Sequence, residues 1–234
     1  MQNILTLCVH RLTAPSAEIQ FPVRRLFNAG WTGSDRNAVQ HHIDELSKMG
    51  VPPPRFVPTL FALGNYLLTT SDSIQVHGDQ TSGEVEYVLL CHDNELFVTV
   101  GSDHTDRRLE AHSISKAKNM CLNVMAADLW PYDEIKAHFS DLELTCWVQR
   151  NGVKSLYQKD YCSALLSPEY WLKEMEDRIG GFREGVVLFS GAIGTVAGLV
   201  VGDSYEFEMT DPVLKRTIRH RYDCEVLSGA IEDY

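Results

Sequence analysis

The chain has 234 residues, 44% hydrophobic and 23% charged, and 21 basic against 32 acidic side chains give a formal net charge of −11. This near-average composition excludes disordered, collagenous and coiled-coil chains, and the length supports a core without disulfides or a structural metal. The acidic balance disfavours nucleic acid and anionic membrane surfaces as partners.

No apolar run approaches the ~20 residues of a membrane span. Met1 to Val9 lacks a basic leader and a small-residue cleavage site, so it reads as a strand rather than a signal peptide. Ile4 to His10 alternates with period two and can form a hairpin with Glu18 to Val23. Ser34-Asp35-Arg36-Asn37 is an N-cap cluster, and Val39, Ile43, Leu46 and Met49 follow at helical spacing, with Gly50 at the end. The spacing predicts a helix from Asp35 to Met49. Pro52, Pro53, Pro54 and Pro58 make the next segment a stiff connection within one domain. From Ser73 to Thr105 the pattern is β, with a turn at His92-Asp93-Asn94. Asp141 to Gln149 alternates as a strand, and Asn151-Gly152 is a hairpin dipeptide. Ser167-Pro168 opens a helix whose apolar face is Trp171, Leu172, Met175 and Ile179, closed by Gly180-Gly181. Val186 to Phe189, Thr195 to Val201, Tyr205 to Met209 and Ile218 to Val226 read as strands. The sum is an α+β protein dominated by strands, with two or three helices. The six cysteines, Cys8, Cys91, Cys121, Cys146, Cys162 and Cys224, include no C-x-x-C pair, so a reducing, cytoplasmic compartment is expected.

Four clusters carry candidate chemistry. Glu84-Val85-Glu86 sets two carboxylates at i and i+2, on one face of a strand, where a hard divalent ion or open solvent would separate them. Gly101 to Arg108 packs Ser102, Asp103, His104, Thr105 and Arg107 behind an apolar strand, which suits a site or a polar turn. His42 and Glu45 stand three apart on the expected helix, the spacing of an oriented general base and equally of a surface pair. Ser190-Gly191-Ala192-Ile193-Gly194-Thr195 lets backbone approach an anion but lacks a phosphate-loop ending, so a tight turn is the expected reading.

Taken in order, these clusters resemble the fumarylacetoacetate hydrolase superfamily from about Asn37 to Val226. The E-x-E pair of that family is matched by Glu84 and Glu86, its third metal carboxylate by Asp103 and its following Arg by Arg107. The family Lys that precedes a Cys-containing segment falls on Lys118, with Lys116 as the neighbouring register. Asn151-Gly152 and Gln158 fit its N-G and Gln, Arg183 to Ala192 fits its P-G-D-x-I-x-T-G-T-P, and Gly202-Asp203 fits its final G-D. His42-x-x-Glu45 is similar to the H-x-x-E of members with a lid helix. The nearest likeness is to a small branch known as a domain of unknown function, around Ala29 to Gly33, His42 to Leu46, Thr81 to Glu86 and Gly101 to Arg107. Three departures stand out: a shortened segment between Glu86 and Asp103, Arg108 in place of the second Asp, and Ala192 in place of a Thr hydroxyl.

The resemblance implies a single catalytic domain over 1–234, with a hairpin and lid helix in 1–60 and a strand-rich mixed β-roll in 61–234. It implies Mg²⁺ or Mn²⁺ on Glu84, Glu86 and Asp103, and catalytic roles for His42, Glu45 and Lys118. Arg107, Thr105, Gln158, Ser190 and Gly191 would contact the substrate, a 2-oxo acid or diketone. The implied reaction is hydrolysis of a C–C bond; decarboxylation, isomerisation or dehydration of a related oxo acid is the alternative, and an inactive binding module the second alternative. Family members are usually homodimers, and the same is expected here.

Overall fold

Val85 to His92 is an almost unbroken apolar run, as expected for a strand covered on both faces. In the computed structural model it is buried along nearly its whole length inside a ten-stranded mixed sheet. The structure describes residues 3–48, 53–227 and 229, without the side chains of 42 and 45–48. The strand order is Ala17–Val23, Asn3–Val9, Asp128–Pro131, Glu95–Asp103, Val85–His92, Val186–Phe189, Arg25–Gly30 and Thr59–Leu63. Asn123–Met125 pairs with Glu95–Asp103 and with Leu68–Thr69 beside this path. A five-stranded sheet runs Val153–Tyr161, Glu143–Arg150, Ser204–Asp211, Arg216–Leu227 and Ser73–His77.

Alternation along Val85–His92 divides the interior in two. Val85, Tyr87 and Leu89 face a core shared with Leu144, Cys146, Phe207, Met209 and Tyr222 of the five-stranded sheet. Val88 and Leu90 face a second core with Leu7, Phe21, Leu26 and Phe189. Glu86 continues this second face toward the start of the strand, where apolar packing gives way to carboxylates. The large sheet curls around that face. Asn28 pairs with Phe189 on one strand and Asn123 with Asp103 on another, with three strands between them, yet Asn28 Nδ2 donates to Asn123 Oδ1 at 2.8 Å. A flat sheet would hold them roughly 19 Å apart.

The N-terminal hairpin forms as its alternation predicts, with Asn3 opposite Val23 and Val9 opposite Ala17. It is not an appendage, because the adjoining strand Arg25–Gly30, unanticipated in the sequence, runs parallel to Val186–Phe189 within the sheet. The first long helix spans Arg36–Lys48, with Asp35 Oδ1 accepting from Asn37 N and Ala38 N at 2.9 and 3.2 Å. Its expected end at Met49-Gly50 lies outside the described residues. The second spans Pro168–Ile179, capped by Ser167 and ended by Gly180 at φ 77°. Asp93-Asn94 and Asn151-Gly152 adopt the paired positive φ of two-residue hairpin turns.

Two expectations need correction. Thr195 to Val201 is not a strand: Thr195 makes one isolated bridge to Gln158, and Gly198 at φ 89° turns the chain away. Five α-helices rather than two or three occur among the described residues, because Arg107–Glu110, Ile114–Lys118 and Tyr132–Ile135 add three of four or five residues. Such single turns leave too short a periodicity to read. Among the described residues, no helix is long and apolar enough to cross a membrane.

Candidate active site

Glu84 sits one residue ahead of its strand, and Asp103 N donates to Glu84 O at 3.1 Å, which extends the ladder. Glu86 is opposite Gly101. This register sets Glu84, Glu86 and Asp103 on one face of two adjacent strands. Gly101 has to be small there, since a Cβ would lie 2.6 Å from Phe189 and 2.8 Å from Val88. Glu86 and Asp103 are buried, and Glu84 keeps 20% side-chain exposure, which marks the solvent side of the group.

Lys118 is buried in this cluster and ion-paired with Asp103, whereas Lys116 is exposed, so the structure brings Lys118 rather than Lys116 to the carboxylates. Burial opposes the ammonium charge, but Asp103, Glu86 and Glu84 outweigh it and hold Lys118 above the ordinary lysine value. Arg107 joins at the rim, 3.3 Å from Glu84 and 2.9 Å from Glu110. Two cations thus face four carboxylates. Burial raises Glu84, although Arg107 and Lys118 oppose it. Burial, then the charge of Asp103, raises Glu86 well above the usual carboxylate range.

The residues expected to contact the substrate also make protein contacts. Gln158 Oε1 accepts from Val85 N at 2.8 Å and its Nε2 donates to Ile193 O at 2.6 Å, so both ends of the carboxamide are engaged by backbone. Arg107 donates to Ser82 Oγ and Glu110 at 2.7 and 2.9 Å. Thr105 Oγ1 donates to Asp103 Oδ1 at 3.2 Å. Ser190 Oγ donates to Gly191 O at 3.1 Å. Gly191 N donates to Glu86 Oε2 at 2.7 Å. Thr105, Arg107 and Gly191 thus touch the carboxylates directly, while Gln158 and Ser190 brace the backbone around them. His42 and Glu45 belong to the helix Arg36–Lys48, and their side chains lie outside the described residues.

Gly191 has φ 90°, and a Cβ there would fall 2.0 Å from Thr32 Oγ1. Gly194 meets nothing within 4 Å. Gly191→Ala is therefore expected to lose about 1–3 kcal/mol in denaturant melts through the strained backbone alone, while Gly194→Ala is nearly neutral. Equal effects of the two would contradict this account of the loop.

Two functional candidates were missed in the sequence, Asn28 and Asn123. Each stands in an apolar run of sequence as a residue that strands disfavour, the one signal available. Both are fully buried, and beyond their mutual bond Asn28 Oδ1 and Asn123 Nδ2 have no partner among the described residues. Exchanging the amide atoms of both still leaves one carbonyl and one amino group unmatched. A divalent ion fits this surplus. All-oxygen donors suit a hard cation, the acids outnumber the bases, and unmatched buried polar atoms face the same interior. The three carboxylates are not drawn into one tight clasp in this structure. Groups with ligand atoms all within 4.8 Å of one another occur, among the described residues, at Cys8, His10 and Asp128 and at His92, Asp93 and Glu184.

A cleft of about 350 Å³ opens beside the cluster, walled by Trp31, Phe56, Phe61, Glu110, His112 and Ser113. Phe61 joins it to the site, its ring centroid 5.9 Å from Lys118 Nζ, and Glu110 joins it through Arg107.

A family model described as "Protein of unknown function (DUF2848)" matches residues 29–222. No curated protein matches the chain. Among solved structures, a candidate fumarylpyruvate hydrolase from Burkholderia cenocepacia aligns with a TM-score of 0.62 and 19% identity, over 95% of this chain and 95% of that one. A fumarylacetoacetate hydrolase family protein of yeast gives 0.63 and 17%, over 89% of this chain and 95% of that one. A 2-keto-3-deoxyarabinonate dehydratase gives 0.61 and 17%, over 88% and 75%. The chain therefore belongs to the family described as protein of unknown function (DUF2848), and its fold is that of fumarylacetoacetate hydrolase family proteins.

Proposed function

We propose that this chain is a Mg²⁺- or Mn²⁺-dependent enzyme that hydrolyses a C–C bond in an acylpyruvate-like or β-diketo acid. The supporting observation is the buried acidic surplus: Glu84, Glu86 and Asp103 on one sheet face, with Lys118 among them. An ion held by these three would supply Lewis-acid polarisation of the substrate's oxo oxygens. Lys118 stays protonated beside them and balances a substrate carboxylate or a developing oxyanion. Thr105 and the Gly191 amide keep Asp103 and Glu86 oriented, so the acids need no rearrangement as charge develops. The cleft at Phe61 admits the remainder of the substrate and its aromatic walls exclude water. His42, oriented by Glu45, takes the proton of the attacking water, a role that rests on their helical spacing.

The second reading is a dehydratase or decarboxylase on the same substrate class. It needs only the carboxylates and Lys118, and His104, buried and held between two hydroxyls, adds no water base to them. Product analysis separates the readings. Hydrolysis places labelled solvent oxygen in a product carboxylate and is lost in His42→Ala with little change in KM. Decarboxylation releases carbon dioxide, dehydration releases water, and both survive that variant. Absence of turnover across 2-oxo and β-diketo acids with either metal, together with no metal-linked rise in Tm, would reject both. We further propose a homodimer. Val153, Leu156, Val196 and Leu199 are exposed apolar side chains on adjoining segments, linked where Val196 N donates to Tyr157 O.

A further inference from the structure

The strand Asn3–Val9 buries Leu7 and Val9 in the second core, so Cys8 projects to the other, solvent-facing side. His10 N donates to Leu129 O at 2.9 Å, which continues the ladder and brings His10 to the same side as Cys8. The parallel register sets Asp128 beside Cys8 on one flank, and the antiparallel register sets Glu18 beside it on the other. A thiol, an imidazole and a carboxylate are thus delivered to one spot by backbone pairing alone. Their ligand atoms lie within 4.8 Å of one another, and His10 Nε2 is 2.6 Å from Asp128 Oδ1. Behind the ring, Ser16 Oγ is 2.8 Å from His10 Nδ1. Once an ion takes the place of the proton between Nε2 and Asp128, such a partner accepts Nδ1–H and leaves the Nε2 lone pair for the ion.

We propose that Cys8, His10 and Asp128 form a second metal site, which takes a borderline-soft divalent ion of the Zn²⁺ type. Glu18 or a water completes four-coordination. Mixed sulfur, nitrogen and oxygen donors select such an ion, whereas the all-oxygen cluster at Glu86 selects a hard one. The two sites therefore discriminate by donor chemistry. Binding displaces the Cys8 thiol proton to solvent as the sulfur–metal bond forms, with no change of oxidation state. The His10–Asp128 pair, 2.6 Å apart, opens by about 0.8 Å to accept an ion at about 2.0–2.2 Å from each. The ion would tie the N-terminal hairpin to the Asp128–Pro131 strand across the outside of the sheet. The other tight donor group is otherwise engaged: Glu184 Oε2 accepts from Asp93 N at 2.7 Å, which braces the hairpin turn.

Titrating the whole protein with Co²⁺ in excess Mg²⁺ tests this, because only a thiolate gives the near-ultraviolet sulfur-to-cobalt charge-transfer band. One equivalent should produce that band with tetrahedral visible transitions, and Zn²⁺ should displace it. Cys8→Ser should abolish the band, and Ser16→Ala should weaken affinity on the order of 10-fold. Should Cys8→Ser fold poorly, His10→Gln must shift the visible spectrum and weaken binding at least as much as Ser16→Ala. No band in the unmodified protein, or a band that persists in Cys8→Ser, overturns the proposal. Neither result depends on catalysis at Glu86.

Discussion

Glu86→Gln is expected to abolish both metal-linked stabilisation and turnover, while leaving the metal-free fold at least as stable as the unmodified protein. Glu86 is buried, and its carboxylate has Gly191 N as a hydrogen-bond donor. Burying a carboxylate costs several kcal/mol unless its charge is matched. Lys118 is the buried cation nearby, and it is paired with Asp103. Burial and the charge of Asp103 accordingly hold Glu86 above the usual range. A carboxamide oxygen still accepts from Gly191 N and carries no charge. Saturating Mn²⁺ should stabilise the unmodified protein by about 2.7 kcal/mol at a hundredfold excess over Kd. Glu86→Gln should show none of this, with turnover lower on the order of 10²–10³-fold or more. The raised pKa also fixes a sign. Without metal, the stabilising contribution of Glu86 is fully present below its unfolded pKa and is lost as pH rises toward the folded value. Glu86→Gln removes that decline. Asp103→Asn should behave oppositely and lose about 3–5 kcal/mol, because it strands the Lys118 ammonium in the interior. Urea melts of the metal-free variants across pH decide the matter. If both variants destabilise alike, the surplus of negative charge at this face is not real.

Glu84, Glu86 and Asp103 were legible because each is a charged side chain inside or at the end of an apolar run, and Lys118 only through a family likeness. Spacing paired Glu84 with Glu86, and the family likeness added Asp103 and Lys118 to them. Their orientation could be named only in part. The i, i+2 rule joins Glu84 to Glu86, but Asp103 joins them through a strand register that no local pattern specifies. Asn28 and Asn123 were illegible for the same reason on a larger scale. Each makes sense only once the curl of the sheet brings together strands about a hundred residues apart in sequence, here 95. The protein partners of Gln158 and Arg107 were illegible on similar grounds. Sequence marks them as polar groups near a site, whereas only the fold shows that Gln158 bonds the backbone at Val85 and Ile193 and that Arg107 reaches Glu110. Thr195 to Val201 failed in the opposite direction. Its Val and Leu residues resemble a strand, but Gly198 turns the backbone out of line, and Val196 and Leu199 end exposed.

His104 shows how firmly the second sheet is tied to this face, and acid should reveal it. The ring is fully buried between the Tyr205 and Tyr222 rings, with centroids 5.5 and 5.7 Å away. Nδ1 lies 2.9 Å from Tyr222 Oη and Nε2 2.9 Å from Thr81 Oγ1. Tyr222 Oη in turn meets Ser102 Oγ at 2.9 Å, and Ser102 Oγ accepts from Glu84 N at 3.1 Å, so the chain of bonds ends at the backbone amide of Glu84. A neutral imidazole satisfies both hydroxyls as one donor and one acceptor. Burial, helped by the Arg107 charge, lowers its pKa from 6.5 to about 3. The unfolded chain therefore binds this proton between those values while the folded one does not, and stability falls as pH drops through that window. The full effect, reached at the acid end, is about 5 kcal/mol at most. Glu84 and Glu86 act with the opposite sign as they protonate, so the comparison needs a variant that isolates the histidine. His104→Gln keeps a neutral polar group, should cost about 1–2 kcal/mol near pH 7 for the lost Tyr222 contact, and should then approach or overtake the unmodified protein as pH falls. Stability curves that stay parallel from neutral pH to acid would mean that His104 is protonated in the folded state, and that the relay from Thr81 to Glu84 is not held by a neutral ring.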